Sequence, residues 1–263
     1  MVIGIVGLGV VGSALKYGFE KLGHKVLVHD LKLDTKIEDV LPAEIVFVCV
    51  PTPTGEEGWL DCSNVNETLR PLIDLKYKGV VAIKSTVNTG YPDFWGHKGL
   101  RLAFVPEFLR ERHAVSDFYE NHELLVIGTE IEEDAEVVLR AHGNLPRAVA
   151  IMKPREAILS KFWSNAYAAT LITFANSFAR ICKDQGADYA AIKAAMVCRP
   201  WISDRYLDSN DAFQGFSGPC LPKDLEALDA AAHIAKIGVD FFRHILDENA
   251  KYLPTVPEGM RQC

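Results

Sequence analysis

A single cysteine in the stretch GPCLPKD, Gly218 to Asp224, lies where its thiol could act as a nucleophile. Pro222 suits the first turn of a helix, and the residues after Asp224 continue as LEALDAAAHIA, which predicts a helix beginning at this proline. The partial positive charge of a helix N-terminus favours a thiolate over a thiol, so Cys220 is a candidate reactive group. The stretch alone leaves open a second interpretation, a small apolar residue at a loop-helix junction, because most cysteines are buried and inert.

The N-terminal stretch VIGIVGLGVVG places the pattern GxGxxG directly after a short apolar strand candidate. The first glycine suits a tight turn, the second permits close approach of a pyrophosphate, and the third permits a helix to pack on the strand. The next strand candidate ends at Asp30, at the distance where a carboxylate binds ribose hydroxyls and repels a 2′-phosphate. The sequence therefore predicts an NAD site, with NAD favoured over NADP, although a glycine-rich turn without a ligand is the alternative. The predicted contacts are Gly7, Gly9, Val10, Val11, Gly12, Asp30, Val50, Pro51, Thr52 and Thr86.

Short runs of β-branched and apolar residues alternate with helical stretches in the first part of the chain. This alternation is typical of βαβ units, and runs that are apolar throughout indicate a parallel sheet covered on both faces. We therefore predict a Rossmann-like, doubly wound, mostly parallel α/β sheet over residues 1–153. The predicted strands span 2–7, 25–30, 44–50, 79–85, 101–106, 124–129 and 148–152.

Predicted helices replace the strands after residue 153. We expect an all-helical domain over 154–253 and a loose tail over 254–263. The predicted helices are a long one that ends near Gly186 and shorter ones at about 187–198, 222–236 and 238–252.

The long predicted helix carries more apolar side chains than one small domain can cover. This excess predicts a homodimer through residues 155–185. The side chains are Phe162, Trp163, Tyr167, Leu171, Ile172, Phe174 and Phe178.

Composition and charge argue against several classes of function. A net charge of −7 over 263 residues disfavours broad binding to nucleic acids or anionic membranes. The sequence has no apolar run of about 20 residues and no basic segment before the first apolar stretch, so we expect a cytoplasmic protein without a membrane span. The eight histidines form no HExxH pattern and no zinc-ligand spacing, so we expect no metal site. The cysteines show no paired spacing and are interpreted as reduced thiols; they are Cys49, Cys62, Cys182, Cys198, Cys220 and Cys263.

Several fragments, taken in their order along the chain, carry a resemblance to a known family. They are the glycine loop, CVPTP at 49–53, KSTVNTG at 84–90, VPEFLRE at 105–111, Lys161 and Asn165 four residues apart, and the Cys-x-Pro-Lys-Asp run. Each fragment is moderately specific, and their order together with the last run is highly specific. The chain resembles the UDP-glucose/GDP-mannose dehydrogenase family, whose members oxidise a nucleotide-sugar primary alcohol to a carboxylate in two steps with two NAD.

The resemblance implies a role for each matching residue. Cys220 would be the nucleophile that holds the intermediate aldehyde as a thiohemiacetal and then as a thioester. Lys161 would stabilise the developing oxyanion with help from Asn165, and Glu111 would handle thioester hydrolysis through water. Asp224 and Thr86 would order the water and the proton transfers. The implied substrate contacts are Glu107, Phe108, Leu109, Lys161, Asn165, Gly218 and Lys223.

The residues alone leave simpler interpretations open for this set. Lys161 could be a solvated helix lysine, and Asp224 could be an acid that only favours a helix N-terminus. Glu107 and Glu111 could form an exposed helical pair. Asn165 and Thr86 could be local caps or surface polar groups.

Two other classes of function share part of the pattern. A single-step dehydrogenase of the β-hydroxyacid type has the same sheet and a helix lysine near an asparagine, but it uses no nucleophilic cysteine. A non-catalytic NAD-binding homologue is the other alternative. Members of the resembled family have a third domain that closes over the nucleotide, and the residues after the last predicted helix are too few to form one. We therefore expect this sequence to lack that domain.

Overall fold

The computed structural model describes residues 1–96, 98–210 and 214–253. The predicted tail and Cys263 lie outside the described residues. Contacts divide the described chain into two compact units, of which the first contains residues 1–53 and 60–161 and the second contains 54–59 and 162–253. The boundary lies inside a long helix, a little beyond the change in sequence character at residue 153.

A seven-stranded sheet forms the centre of the first unit, in the order β2-β1-β3-β4-β5-β6-β7. The first five strands run parallel, β6 pairs antiparallel with β5, and β7 runs parallel to β6. The predicted doubly wound, mostly parallel sheet is confirmed, and each predicted strand is present with ends that differ by at most two residues. The strands are β1 Val2–Val6, β2 Lys25–His29, β3 Ile45–Val48, β4 Val80–Ile83, β5 Arg101–Phe104, β6 Leu124–Gly128 and β7 Ala148–Met152.

Helices cover the sheet because its central strands are apolar on both faces. All four residues of β3 and all four of β4 are buried, as expected for a sheet with helices on each side. Three aromatic rings meet in the core, where Phe19 lies 5.0 Å from Phe47 and 5.3 Å from Phe118 between ring centroids. The helices of this unit are α1 Val10–Lys21, α2 Ser63–Asp74, α3 Tyr91–Trp95, α4 Ala114–Tyr119 and α5 Glu132–His142, with 3-10 turns at Ile37–Val40 and Glu111–His113.

The second unit is helical in its described part and contains no β-strand there. The long helix α6, Pro154–Asp184, begins in the first unit and continues into the second. The 3-10 turn Glu56–Gly58 belongs to the second unit, where the Thr54 hydroxyl donates a hydrogen bond to Glu226 at 2.8 Å. The remaining helices are α7 Tyr189–Met196, α8 Leu221–Ile234 and α9 Phe241–Asn249.

Apolar side chains on α6 divide between the core of the second unit and the solvent. Phe162, which the sequence analysis placed on the exposed face, is 2% exposed, whereas Trp163 is 69% exposed. The exposed set forms two ring pairs and two further side chains: Trp163 with Tyr167, Phe174 with Phe178, Leu159 and Ile181. Of the helices in the described part of the chain, none has both the length and the apolar character that crossing a membrane requires.

Candidate active site

The glycine loop joins β1 to α1 and leaves open space at its middle glycine. Gly7 has a φ of +90°, and a Cβ atom there would lie 2.7 Å from the Cys49 carbonyl oxygen at the end of β3. A Cβ atom on Gly12 would overlap the Gly7 carbonyl oxygen, so only glycine lets α1 approach the loop this closely. No atom lies within 4 Å of the corresponding position at Gly9, the N-cap of α1. A pyrophosphate could therefore approach the N-terminus of α1 here.

Asp30 follows β2 directly and lies beside the glycine loop. One carboxylate oxygen accepts the Leu8 amide at 2.6 Å, and the other accepts the Lys32 amide at 2.8 Å. These backbone donors, Leu8 first, hold the pKa of Asp30 below its usual value, so the side chain is ionised at neutral pH. Each oxygen keeps a lone pair for a ribose hydroxyl.

The loops after β1, β3 and β4 adjoin at the point where the strand order reverses. A Cβ atom on Gly7 would lie 3.2 Å from the Val50 side chain, and the Ser85 hydroxyl donates to the Val50 carbonyl at 2.7 Å. Pro51 is exposed and Thr52 is buried. Ligands of open α/β sheets bind at such a switch point, outside the carboxyl ends of the strands. The glycine loop, Asp30 and these loops therefore fit a dinucleotide.

A buried ion pair joins the loop after β5 to helix α6. The Lys161 ammonium lies 3.1 Å from Glu107 Oε1 and 5.8 Å from the centroid of the Phe108 ring. Glu107 Oε2 accepts the Leu109 amide at 2.6 Å. Burial alone would raise the pKa of Glu107, but Lys161, the Leu109 amide and Lys84 outweigh it and hold the pKa below its usual value. Lys161 is 6% exposed, so the interpretation of a solvated helix lysine is wrong.

Glu107 and Glu111 occupy different environments. Residues 105–110 form no helix, and Glu111 begins an exposed 3-10 turn, so the suggested helical pair is not formed. Arg110 fixes this loop through a two-point ion pair with Asp117 of α4, at 2.9 and 2.6 Å. The structure thus places Glu107 beside Lys161 and Glu111 on the surface.

The sequence analysis missed Lys84, which lies at the same edge of the sheet. Lys84 follows β4 and is 5% exposed. Burial lowers the pKa of its ammonium to about 8, although Glu107 acts in the opposite direction. A lysine at the end of a fully apolar strand was the signal that could have identified it. Thr86, two residues further on, lines a small pocket together with Pro106, Ile158 and Lys161.

A second group of predicted residues surrounds the start of α8 in the second unit. Cys220 is exposed and is the N-cap of the helix, which begins at Leu221, one residue before the predicted start. Asp224 is fully buried, and its amide donates to the Cys220 carbonyl at 3.2 Å. Gly218, with a φ of +94°, makes the turn before the cysteine.

Two nitrogen donors bind the Asp224 carboxylate, one at each oxygen. Asn165 of α6 donates to Oδ2 at 2.5 Å, and the Lys223 ammonium lies 2.5 Å from Oδ1. Asn165 is itself 8% exposed, so it is neither a local cap nor a surface polar group. Asp224 does more than favour the helix N-terminus, because it holds Asn165 and Lys223 in place beneath the thiol-bearing turn.

Cys49, the residue after β3, is a neutral thiol, unlike the thiolate expected at a helix N-terminus. Burial raises the pKa of Cys49 to about 12, despite the nearby Lys84 charge. Throughout the described ranges, no three His, Cys, Asp or Glu side chains come together in a way that could hold a metal ion.

Comparison with known proteins assigns both parts of the chain to one family. Residues 28–145 match the NAD binding domain of the UDP-glucose/GDP-mannose dehydrogenase family, and residues 155–251 match its central domain. The predicted cofactor, NAD, is confirmed by the first of these matches.

A curated relative and a solved structure agree with the family match. UDP-glucose 6-dehydrogenase of Pseudomonas aeruginosa is 31% identical over 230 residues, which cover 81% of this chain and 50% of that protein. A UDP-glucose dehydrogenase from Pyrobaculum islandicum aligns with a TM-score of 0.85 at 26% identity, over 95% of this chain and 68% of that one.

A 3-hydroxyisobutyrate dehydrogenase from Mycobacterium tuberculosis shares the fold, with a TM-score of 0.76 at 14% identity over 95% of this chain and 92% of that one. The chain spans about half the length of the Pseudomonas relative. With two family models that match successive parts of the sequence, this chain belongs to the UDP-glucose/GDP-mannose dehydrogenase family.

Proposed function

We propose that the protein oxidises the primary alcohol of a nucleotide sugar to the carboxylate, of the UDP-glucose to UDP-glucuronate type, with two NAD per sugar. The observation that carries this proposal is the setting of Cys220. Its side chain is exposed at the N-cap of α8, and the acid one turn later is buried and bound by Asn165 and Lys223. A single-step dehydrogenase needs no thiol at such a position.

The thiol permits the second oxidation to proceed on a covalent intermediate. NAD, when bound, accepts a hydride from the alcohol carbon and, as a second molecule, a hydride from the thiohemiacetal carbon. The Cys220 sulfur forms a bond to the aldehyde carbon, and the resulting oxyanion takes up a proton to give the thiohemiacetal. Loss of hydride and of the hydroxyl proton gives a thioester, and water then releases the carboxylate and restores the thiol.

The surroundings of Glu107 support a change in the role of the two glutamates. The sequence resemblance assigned hydrolysis to Glu111 and substrate support to Glu107. Hydrolysis needs a carboxylate that is ionised and held next to the reacting groups. Glu107 is buried, ionised at neutral pH and 3.1 Å from Lys161, so we assign the base role to Glu107. Lys161 then supplies the cation that stabilises an oxyanion.

Paired glutamine variants test this assignment. We expect Glu107→Gln to lower kcat by about 100-fold or more, the usual loss when a general base is removed. Glu111→Gln makes the same replacement of a carboxylate by an amide, but on an exposed side chain. It is expected to retain kcat within about threefold. The reverse order of effects would return the base role to Glu111.

The activity itself is tested by the yield of NADH per sugar. The substrates are UDP-glucose, UDP-galactose, UDP-N-acetylmannosamine and GDP-mannose, each supplied in limiting amount. We expect two NADH per molecule of one of them. Cys220→Ser should form at most one, whereas Cys198→Ser, which alters another exposed cysteine of the second unit, should still form two.

The other outcomes identify the alternatives. One NADH per substrate in the wild-type protein indicates the single-step, β-hydroxyacid type of reaction. No NADH with any substrate, together with measurable NAD binding, indicates a non-catalytic NAD-binding homologue. Two NADH per substrate from Cys220→Ser contradicts the thioester route.

We also propose that the protein is a homodimer through α6. Trp163, Tyr167, Phe174, Phe178 and Ile181 are exposed by 69, 49, 55, 38 and 58%, respectively. The rings of Trp163 and Tyr167 are nearly parallel, with their centroids 5.4 Å apart, so they present a flat apolar surface. Large contiguous apolar surfaces of this kind mark association sites. We also propose that the protein lies in the cytoplasm. Its cysteines show no paired spacing in the sequence, which fits thiols that stay reduced there.

A further inference from the structure

Lys84 is a buried cation at a position where the fold has no need of a charge. The four residues before it, Val80–Ile83, are buried and apolar. Lys84 itself is 5% exposed. Taking an ammonium group out of water is unfavourable unless a charge partner and hydrogen bonds compensate. An apolar side chain could continue the strand without that penalty, so packing does not explain the lysine.

The contacts of Lys84 point to the loop that carries Glu107. The Lys84 ammonium donates a hydrogen bond to the Pro106 carbonyl at 3.3 Å, and Pro106 directly precedes Glu107. Its backbone amide donates to the Val48 carbonyl at 2.9 Å, which fixes the start of the side chain at the end of β3. In the part of the chain that the structure describes, Lys84 forms no ion pair shorter than 4 Å. Its charge therefore acts on its surroundings over a longer distance.

The titratable groups that face Lys84 come from several elements. Glu107, after β5, favours its charge, and Lys161 of α6 opposes it. The Cys49 thiol, after β3, is neutral because burial raises its pKa to about 12. His122, before β6, and His142, at the end of α5, feel the Lys84 charge and are neutral at pH 7. Glu107 is thus the anion that faces two buried ammonium groups.

We propose that Lys84 is a positioning residue that, through the Pro106 carbonyl and its own charge, holds the Glu107 carboxylate ionised beside Lys161. The role rests on the proposed function, since it prepares Glu107 to act as the base in thioester hydrolysis. Lys161 contacts Glu107 directly and serves an oxyanion during the reaction. When Lys161 turns to that oxyanion, Lys84 is the second cation that keeps Glu107 from taking up a proton.

The test measures the titration of Glu107 without any turnover. Protein carrying ¹³C in its glutamate carboxyl groups is titrated by NMR, and Glu107→Gln identifies the signal. We expect Lys84→Met, which keeps the length but removes the charge, to move the Glu107 midpoint to higher pH. Lys84→Arg should keep the midpoint near that of the wild-type protein. Lys78→Met is the matched control, because it removes an exposed lysine that precedes the N-terminal end of β4. It should leave the Glu107 midpoint unchanged.

Kinetics then connect the titration to the reaction. We expect the acid limb of the pH profile of kcat in Lys84→Met to move to higher pH by the same amount as the Glu107 midpoint, so kcat falls on the acid side of neutrality. Binding of NAD, measured by fluorescence, should stay within about twofold of the wild-type protein because the Lys84 side chain bonds to the Pro106 carbonyl and leaves the glycine loop and Asp30 untouched. Lys84→Gln provides the same comparison if the methionine variant does not fold.

The outcomes separate this proposal from the proposed function. An unchanged Glu107 midpoint in a folded, NAD-binding Lys84→Met or Lys84→Gln protein overturns the role of Lys84. A wild-type protein that oxidises none of the nucleotide sugars, while the Glu107 midpoint still rises in Lys84→Met, contradicts the proposed function and leaves the positioning of Glu107 by Lys84 intact.

Discussion

Acid should destabilise the first unit through a buried histidine pair, and His122 allows the size of the effect to be worked out. The His122 ring packs 5.2 Å from Phe118 and 5.6 Å from His142 between centroids, and its Nδ1–H donates to the Phe118 carbonyl at 3.2 Å. Burial, assisted by the Lys84 charge, lowers the pKa of His122 to about 4. The pKa of His142, which is fully buried, is lowered for the same reasons.

The free energy of unfolding falls as the pH falls, because the pKa of His122 is lower in the folded state than in the unfolded state. In the unfolded chain His122 binds a proton with a pKa of about 6.5. In the folded protein it binds the proton with a pKa of about 4. The stability that a neutral His122 contributes is therefore present above the unfolded pKa and is lost as pH falls. Between about pH 7 and about pH 5 this one group removes about 2 kcal/mol from the free energy of unfolding. His142 acts in the same direction.

The assay follows urea unfolding of the first unit by the fluorescence of Trp95. This side chain is 3% exposed and belongs to α3. The other three tryptophans, Trp59, Trp163 and Trp201, belong to the second unit and are replaced by phenylalanine in all proteins compared.

His122→Asn keeps a donor for the Phe118 carbonyl but does not titrate. We expect its stability to fall by about 2 kcal/mol less than that of the parent protein between about pH 7 and about pH 5. His113→Gln, which alters an exposed histidine of the same unit, should lose as much stability as the parent. An equal loss in parent and His122→Asn would show that protonation of His122 does not drive the acid response.

Three further predictions concern the cofactor site and the dimer. Asp30→Ala should weaken NAD about tenfold and narrow the preference for NAD over NADP, and equal NAD and NADP affinities in the wild-type protein would refute the role of Asp30. Gly12→Ala should weaken NAD binding by about tenfold or more or lower the melting temperature, because its Cβ would overlap the Gly7 carbonyl oxygen; an NAD titration and a thermal melt check this. Trp163→Glu with Phe174→Glu should convert a dimer to a monomer in sedimentation, and a stable wild-type monomer at micromolar concentration would contradict the dimer.

The sheet could be predicted from the sequence because its signal is local. Each strand is a short apolar run bounded by turn residues, and the glycine loop fixes how β1, α1 and the end of β2 meet. The antiparallel direction of β6 could not be predicted from these local patterns. Antiparallel pairing with β5 depends on the path of the loop between them, which Arg110 and Asp117 fix by a contact that no periodicity reveals.

The candidate site was predictable as a set of residues but less so as an arrangement. Spacing left open an exposed helical pair of Glu107 and Glu111, since four residues make about one turn. Pro106 and the Arg110–Asp117 pair keep the loop from becoming helical, so one glutamate is buried and the other exposed. Lys84 was not predicted as a site residue because a lysine after an apolar strand has no distinctive spacing. Its proposed role depends on the Pro106 carbonyl, 22 residues away in the sequence.

The two groups of candidate site residues, one around Lys161 and one around Cys220, each contain a buried carboxylate with two nitrogen donors. Glu107 has Lys161 and the Leu109 amide, and Asp224 has Asn165 and Lys223. Replacing a buried ion pair by packed apolar residues is often neutral or stabilising, whereas removing one partner is strongly destabilising. Neither carboxylate is therefore explained by stability. On the proposed function, each is explained by its part in the reaction: Glu107 is the base, held ionised beside Lys161, and Asp224 holds Asn165 and Lys223 near the turn that carries Cys220. On this argument, an apolar replacement of a whole pair should keep the fold and abolish oxidation, which is the pattern expected when charge is retained for chemistry.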